Sequence, residues 1–138
     1  MKLRVLLLED SPMKAVAITR AIRNRCDADI ERVEDVKTGL DRIEQAEKEG
    51  CGYDLAISDM HYPLSPGLKA DWEAGEHFLT TVQNWKPSLP VVICSSTYLN
   101  YENAYGCVWY REDRDWECEI WGLLDKRRKE IEKGEKKL

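Results

Sequence analysis

Leu3-Arg4-Val5-Leu6-Leu7-Leu8-Glu9-Asp10-Ser11-Pro12 sets the architecture of the whole chain. Its apolar run is short and nearly continuous, which suits a strand buried on both faces of a parallel sheet, and it stops at two acids. Ser11 is a good helix cap and Pro12 a good first helical residue, so a helix follows at once, with Val16, Ile18, Ala21 and Ile22 as its apolar stripe. The unit is therefore strand, acidic tip, helix.

The same unit recurs downstream. Asp29-Ile30-Glu31-Arg32-Val33 alternates like a partly exposed strand, and Val36, Leu40, Ile43 and Ala46 then recur at helical spacing up to Gly50 and Gly52. Tyr53-Asp54-Leu55-Ala56-Ile57-Ser58 reads as a third strand that again ends at an acid, Asp59. A stretch from Met60 to about Gly75, containing Pro and Gly, separates it from a helix with Phe78, Leu79 and Val82 on one face. Pro90-Val91-Val92-Ile93-Cys94 is a fourth buried strand, left through Ser95-Ser96-Thr97. Gly106-Cys107-Val108-Trp109-Tyr110 is a fifth. The last helix is expected from about Asp115 to Glu132, with Ile120, Leu123, Leu124 and Trp121 toward the sheet. Strands alternating with helices imply right-handed crossovers and a parallel sheet covered on both faces.

A length of 138 residues implies one domain, 1–138, and 43% hydrophobic with 34% charged residues implies a water-soluble one. No apolar run approaches the roughly 20 residues that span a bilayer, so no membrane partner is expected. The start, Met1-Lys2-Leu3-Arg4, lacks the long apolar region and cleavage site of a signal peptide, and a cytoplasmic location is expected. Five cysteines without a C-x-x-C pair indicate neither zinc nor a disulfide framework, but reduced, mostly buried thiols. A net charge of −5 argues against direct nucleic-acid binding. The basic run Lys126-Arg127-Arg128-Lys129, continuing to Lys136-Lys137, is interleaved with acids and reads as a solvated helix face.

In open parallel sheets, ligands bind beyond the carboxyl ends of the strands. The tip residues here are Glu9 and Asp10, Asp59, Ser95 and Ser96, and Tyr110-Arg111. Carboxylates gathered on one rim repel one another unless a cation sits among them. A cluster of hard oxygen ligands without His or Cys suits Mg²⁺ and is poor for zinc.

On these residues the sequence resembles the response-regulator receiver domains of bacterial two-component systems. Val5-Leu6-Leu7-Leu8-Glu9-Asp10-Ser11 is similar to their first strand and acidic pair, Tyr53 through Pro63 to their phosphorylation-site strand, and Pro90 through Ser96 to their fourth strand. The resemblance implies a flavodoxin-like, three-layer α/β fold with five parallel strands in the order 2-1-3-4-5. It implies Asp59 as phosphoacceptor, and Mg²⁺ held by Asp10 and Asp59 directly, by Glu9 through water and by the His61 backbone carbonyl. Ser95 and Ser96 would bind phosphoryl oxygens. The implied partners are a sensor histidine kinase or phosphotransfer protein and a downstream protein target.

Three departures stand out. Receivers carry a Lys just after the fifth strand; here Tyr110 and Arg111 stand there, making Arg111 the candidate replacement, although its planar fork is not a point charge. The segment from Ser96 to Tyr105 is too short for a full fourth helix, so a shortened helix, a turn of helix or an irregular loop is expected. The switch aromatic within the fifth strand falls on Cys107 or Val108.

The loop after the third strand is extended, and its Tyr62, Leu64, Leu68 and Trp72 form either a lid over the acidic rim or a self-packed loop. His61 and His77 read as a loop and a helix-surface histidine. Trp109, Tyr110, Trp116 and Trp121, with Tyr98, Tyr101 and Tyr105, supply either core or a docking surface, through which a homodimer is one expectation. The leading function is a phosphorylatable, non-enzymatic signalling module acting by protein contact. The alternatives are a pseudo-receiver that is not phosphorylated and, less favoured, a Mg²⁺-dependent phosphohydrolase; Asp59-Met60-His61 lacks the Asp-x-Asp acceptor motif of the best-known aspartyl phosphatases.

Overall fold

A computed structural model describes residues 1–136; positions 137 and 138, and with them the end of the expected 1–138 domain and of the basic run at Lys137, lie outside the described residues. The elements run β1 (Leu3–Leu8), α1 (Pro12–Arg25), β2 (Ala28–Val33), α2 (Val36–Lys48), β3 (Leu55–Ser58), β4 (Tyr62–Pro63), β5 (Ala70–Asp71), α3 (Ala74–Trp85), β6 (Val91–Ser95), β7 (Gly106–Trp109) and α4 (Trp116–Lys136). The main sheet has five parallel strands in the order β2-β1-β3-β6-β7, and β4 pairs antiparallel with β5 in a separate two-stranded sheet. Leaving that hairpin aside, this is the expected order 2-1-3-4-5.

The period of two along each strand divides the apolar side chains between two cores. Leu6 and Leu8, Ala56, Val91 and Ile93 face α2 and α3, where Ile43, Phe78, Leu79 and Val82 cover them. Leu3, Val5 and Leu7, Leu55 and Ile57, Val92 and Cys94 face the other way, under Ala15, Ile18 and Ile22 of α1 and Ile120 and Leu124 of α4. Each fully buried Leu, Ile or Phe contributes about 1.5 to 3 kcal/mol relative to exposure, so the three layers hold because both strand faces are apolar.

The helices begin and end as local chemistry requires. Ser11 Oγ accepts the Lys14 N–H at 3.4 Å with Pro12 in the first turn, and the basic Arg23 and Arg25 stand in the last turn against the helix dipole. Asp35 caps α2 more tightly, accepting from the Thr38 N–H at 2.8 Å and the Thr38 hydroxyl at 2.6 Å. Beyond α2 the chain turns at Gly50, whose φ of +74° is open to glycine at little cost.

Of the alternatives for the segment before the fifth parallel strand, the irregular loop is the one present: residues 96–105 form bends and turns with no helix, so the shortened fourth helix is absent, the stretch between Ser95 and Gly106 being too short for one. Three further expectations are corrected. Val16 is 55% exposed, since the sheet-facing stripe of α1 passes through Ala15, Ile18, Ala21 and Ile22 instead. The thiols are free, but only Cys94 is buried; Cys51 and Cys118 are exposed. The loop after β3 divides its residues. Tyr62 is fully buried and Leu64 packs on the core, whereas Leu68 and Trp72 project into solvent. No helix among the described residues is long and apolar enough to cross a membrane.

Candidate functional site

Parallel strands deliver their carboxyl ends to one edge, and the register makes that edge sharp. Leu8 pairs with Ser58 and Ser58 with Ile93, so the residues that follow, Glu9, Asp59 and the pair Cys94-Ser95, stand side by side. Carboxylate oxygens of Glu9, Asp10 and Asp59 all lie within 4.8 Å of one another. The backbone beneath them is tied down. Glu9 and Asp59 donate their N–H groups to Val33 and Leu8 carbonyls at 3.0 Å each. Arg32 reaches over from β2 and donates to the carbonyls of Glu9 at 2.9 Å and Asp10 at 3.2 Å.

The acceptor side of the site is equally constrained. Asp59 Oδ1 accepts the Met60 N–H at 2.7 Å. Buried Ser58 donates to the Asp59 carbonyl at 2.7 Å and pairs with the Tyr62 hydroxyl at 2.8 Å, so the buried foot of the hairpin sets the path of the chain just after the acid. Burial raises the Tyr62 hydroxyl pKa far above its ordinary value, and it stays a neutral hydrogen-bonding group.

Lys14 occupies the centre. Its ammonium lies 2.9 Å from Glu9 Oε1 and 2.9 Å from Asp59 Oδ1, and donates to the Cys94 carbonyl at 2.7 Å. It therefore joins the tips of β1, β3 and β6 from the first turn of α1. The Tyr110 ring lies 5.3 Å away on its flank. Burial alone would lower the pKa of this ammonium, but Cys94 at high pH and the Asp59 and Glu9 carboxylates raise it, so Lys14 is charged at neutral pH. Burial raises the Glu9 carboxyl; Lys14 opposes that rise and Asp59 adds to it.

Sequence reasoning missed Lys14. The signal was its place on the sheet-facing stripe, one turn before Ile18 and two before Ala21, where a lysine requires buried negative partners. Arg111, read as the candidate cation, is engaged elsewhere: its guanidinium pairs with Asp113 at 2.9 Å and stacks 4.8 Å over Trp109. The exposed loop after β7 gives this long side chain nearer partners than the acidic rim.

The remaining candidates are distributed as follows. Ser95 ends β6, is buried, and its Oγ accepts the Thr97 N–H at 3.2 Å. Ser96 is exposed, and its carbonyl accepts the Trp109 indole N–H at 3.1 Å. The His61 ring stacks on Trp72 with centroids 4.1 Å apart, and His77 lies on the exposed face of α3. Of the late aromatics, Tyr105, Tyr110, Trp116 and Trp121 pack on the core, while Tyr98 is exposed.

The donor set fits a hard divalent ion. Glu9 Oε1 is buried, with the Lys14 ammonium 2.9 Å away. Three carboxylates against one ammonium leave two formal negative charges in a small volume. Oxygen ligands of this charge suit Mg²⁺, with Glu9, Asp10 and Asp59 as the residues able to hold it.

No protein-family model matches the sequence, and no curated protein matches it. Solved structures do match. A CheY-like response regulator receiver domain protein from Methanospirillum hungatei JF-1 is 16% identical and superposes with a TM-score of 0.66 over 96% of this chain and 99% of that one. The signal receiver domain of an HD domain-containing protein from Pseudomonas fluorescens Pf-5 is 14% identical, with a TM-score of 0.69 over 94% and 97%. The Mn²⁺-bound form of response regulator Rcp1 is 17% identical, with a TM-score of 0.64 over 87% and 90%. This chain has the fold of the response-regulator receiver domains, as its first strand and acidic tips led one to expect.

Proposed function

We propose that this chain is a phosphoacceptor signalling domain of a two-component phosphorelay, with Asp59 as the acceptor. The observation that carries the reading is the convergence of Glu9, Asp10 and Asp59 within 4.8 Å at the ends of two adjacent parallel strands. In the receiver fold, that edge is where ligands bind.

The chemistry asked of the protein is positioning and charge neutralisation. An Asp59 carboxylate oxygen attacks the phosphorus of a phosphohistidine on a kinase or phosphotransfer protein. A P–O bond forms, the P–N bond breaks, and its electron pair returns to the imidazole. Bound Mg²⁺ would neutralise charge building on the phosphoryl oxygens. Asp10 and Asp59 would hold it directly, Glu9 through water, and the His61 carbonyl would add an oxygen. Arg32 keeps Glu9 and Asp10 in place by holding their carbonyls. Ser95, at the adjacent strand tip, offers a hydroxyl to a phosphoryl oxygen, and exposed Ser96 offers a second. The Mn²⁺-bound state of Rcp1 supports a divalent ion in this fold. The net charge of −5 supports output by contact with a downstream protein rather than with nucleic acid. The exposed Tyr98 and the half-exposed Trp109 offer a face for that protein or for a second copy of the chain.

One observation favours a second reading. An ammonium seated between Glu9 and Asp59 is also what a permanently occupied pseudo-receiver would contain. The two separate on incubation with Mg²⁺ and acetyl phosphate followed by intact-mass measurement. A phosphate-sized gain in the wild type that is absent in Asp59→Asn is the expected result. No gain, with divalent binding intact, makes the pseudo-receiver the correct account.

A further inference from the structure

We infer that Lys14, on α1, is the cation that neutralises Asp59 and then holds the transferred phosphoryl group, in place of a basic residue after the last strand. This rests on the phosphoacceptor reading of the same site. Three observations carry it. The ammonium is already 2.9 Å from Asp59 Oδ1, the group that reacts. Only 11% of the Lys14 side chain is exposed, so its charge acts in a poorly screened environment. It is also fastened to the Cys94 carbonyl at 2.7 Å, next in the chain to Ser95, whose hydroxyl lies at the same strand tip. Arg111 meets none of these conditions, being 45% exposed and paired with Asp113.

The charges account for the role. Before transfer, Lys14 offsets part of the repulsion among the three carboxylates. On transfer, the new P–O bond places the phosphoryl oxygens beside Asp59, and the ammonium exchanges its Glu9 and Asp59 contacts for one of them. Removal of a point charge from this position changes two equilibria in opposite directions. Phosphoryl transfer loses a stabilising cation, whereas a divalent ion at Glu9, Asp10 and Asp59 loses a competitor. A basic plug with no part in transfer would change them in the same direction, so that its removal favours both.

The test compares wild type, Lys14→Met and Arg111→Ala in two assays. One is the rate of labelling by acetyl phosphate with Mg²⁺, read by intact mass. The other is Mn²⁺ binding without phosphodonor, read by water-proton relaxation. Lys14→Met is expected to label about 10- to 100-fold more slowly and to bind Mn²⁺ about tenfold more tightly. Labelling of Lys14→Met at or above the wild-type rate overturns the assignment, as does a loss confined to Arg111→Ala. A wild type that takes up no phosphate overturns the phosphoacceptor reading itself, and is told apart because it requires no Lys14 variant. Should Lys14→Met fail to fold in a urea titration, Lys14→Gln against Lys14→Arg makes the same comparison, the arginine variant retaining more of the rate.

Discussion

Gly75 lies so close beneath Asp59 that a Cβ atom on it would stand 2.3 Å from the Asp59 carbonyl oxygen and 2.8 Å from the Met60 Cα. Its N–H donates to the Met60 carbonyl at 3.0 Å. The first turn of α3 is thus seated directly on the chain that leaves the acceptor acid. The contact is between backbones, which cannot swing aside as a side chain can.

Gly75→Ala is therefore expected to destabilise the fold by about 2 kcal/mol, the overpacking cost exceeding the gain in helix propensity. A lowered urea midpoint at unchanged slope is the signature. An equal or higher midpoint would mean that α3 is free to shift away from Asp59.

Arg25 and Asp125 join α1 to α4 through two hydrogen bonds, of 3.1 and 2.6 Å. The hydrogen bond from Arg25 holds the Asp125 carboxyl below its ordinary range. A group whose folded pKa is depressed contributes stability above its unfolded pKa and loses it as pH falls through the folded value. Asp125→Asn should thus be slightly less stable than wild type at neutral pH, the effect being limited by solvent screening, and the two should converge in strong acid. A difference in urea midpoint that persists at the acid end would assign the effect to packing instead.

The cysteines should separate by accessibility. Cys51 and Cys118 are exposed, while Cys94 has no exposed surface and burial pushes its thiol up to about 12. With iodoacetamide at about pH 8, Cys51 and Cys118 should be alkylated in the native protein and Cys94 only after unfolding. Peptide mapping of Cys94 labelled at the native rate would count against a tightly packed β6.

The layers, the five strands and the acidic tips were legible in the sequence because they depend on short-range regularities. Leu3 to Leu8 suits a strand buried on both faces by its length, its apolar run and the helix start that follows it, and Glu9, Asp10 and Asp59 end strands wherever the strands lie. Lys14 and Gly75 were not legible in this way. The role of each depends on residues about 45 and 16 positions distant, Asp59 in both cases, brought close by crossovers that no local pattern encodes. The sequence alone determined which residue types reach the carboxyl edge of the sheet. Only the tertiary structure decided which cation meets them, because a lysine on α1 is carried to the rim by the packing of Ile18 and Ile22, whereas Arg111 stays with Asp113 and Trp109 at the surface.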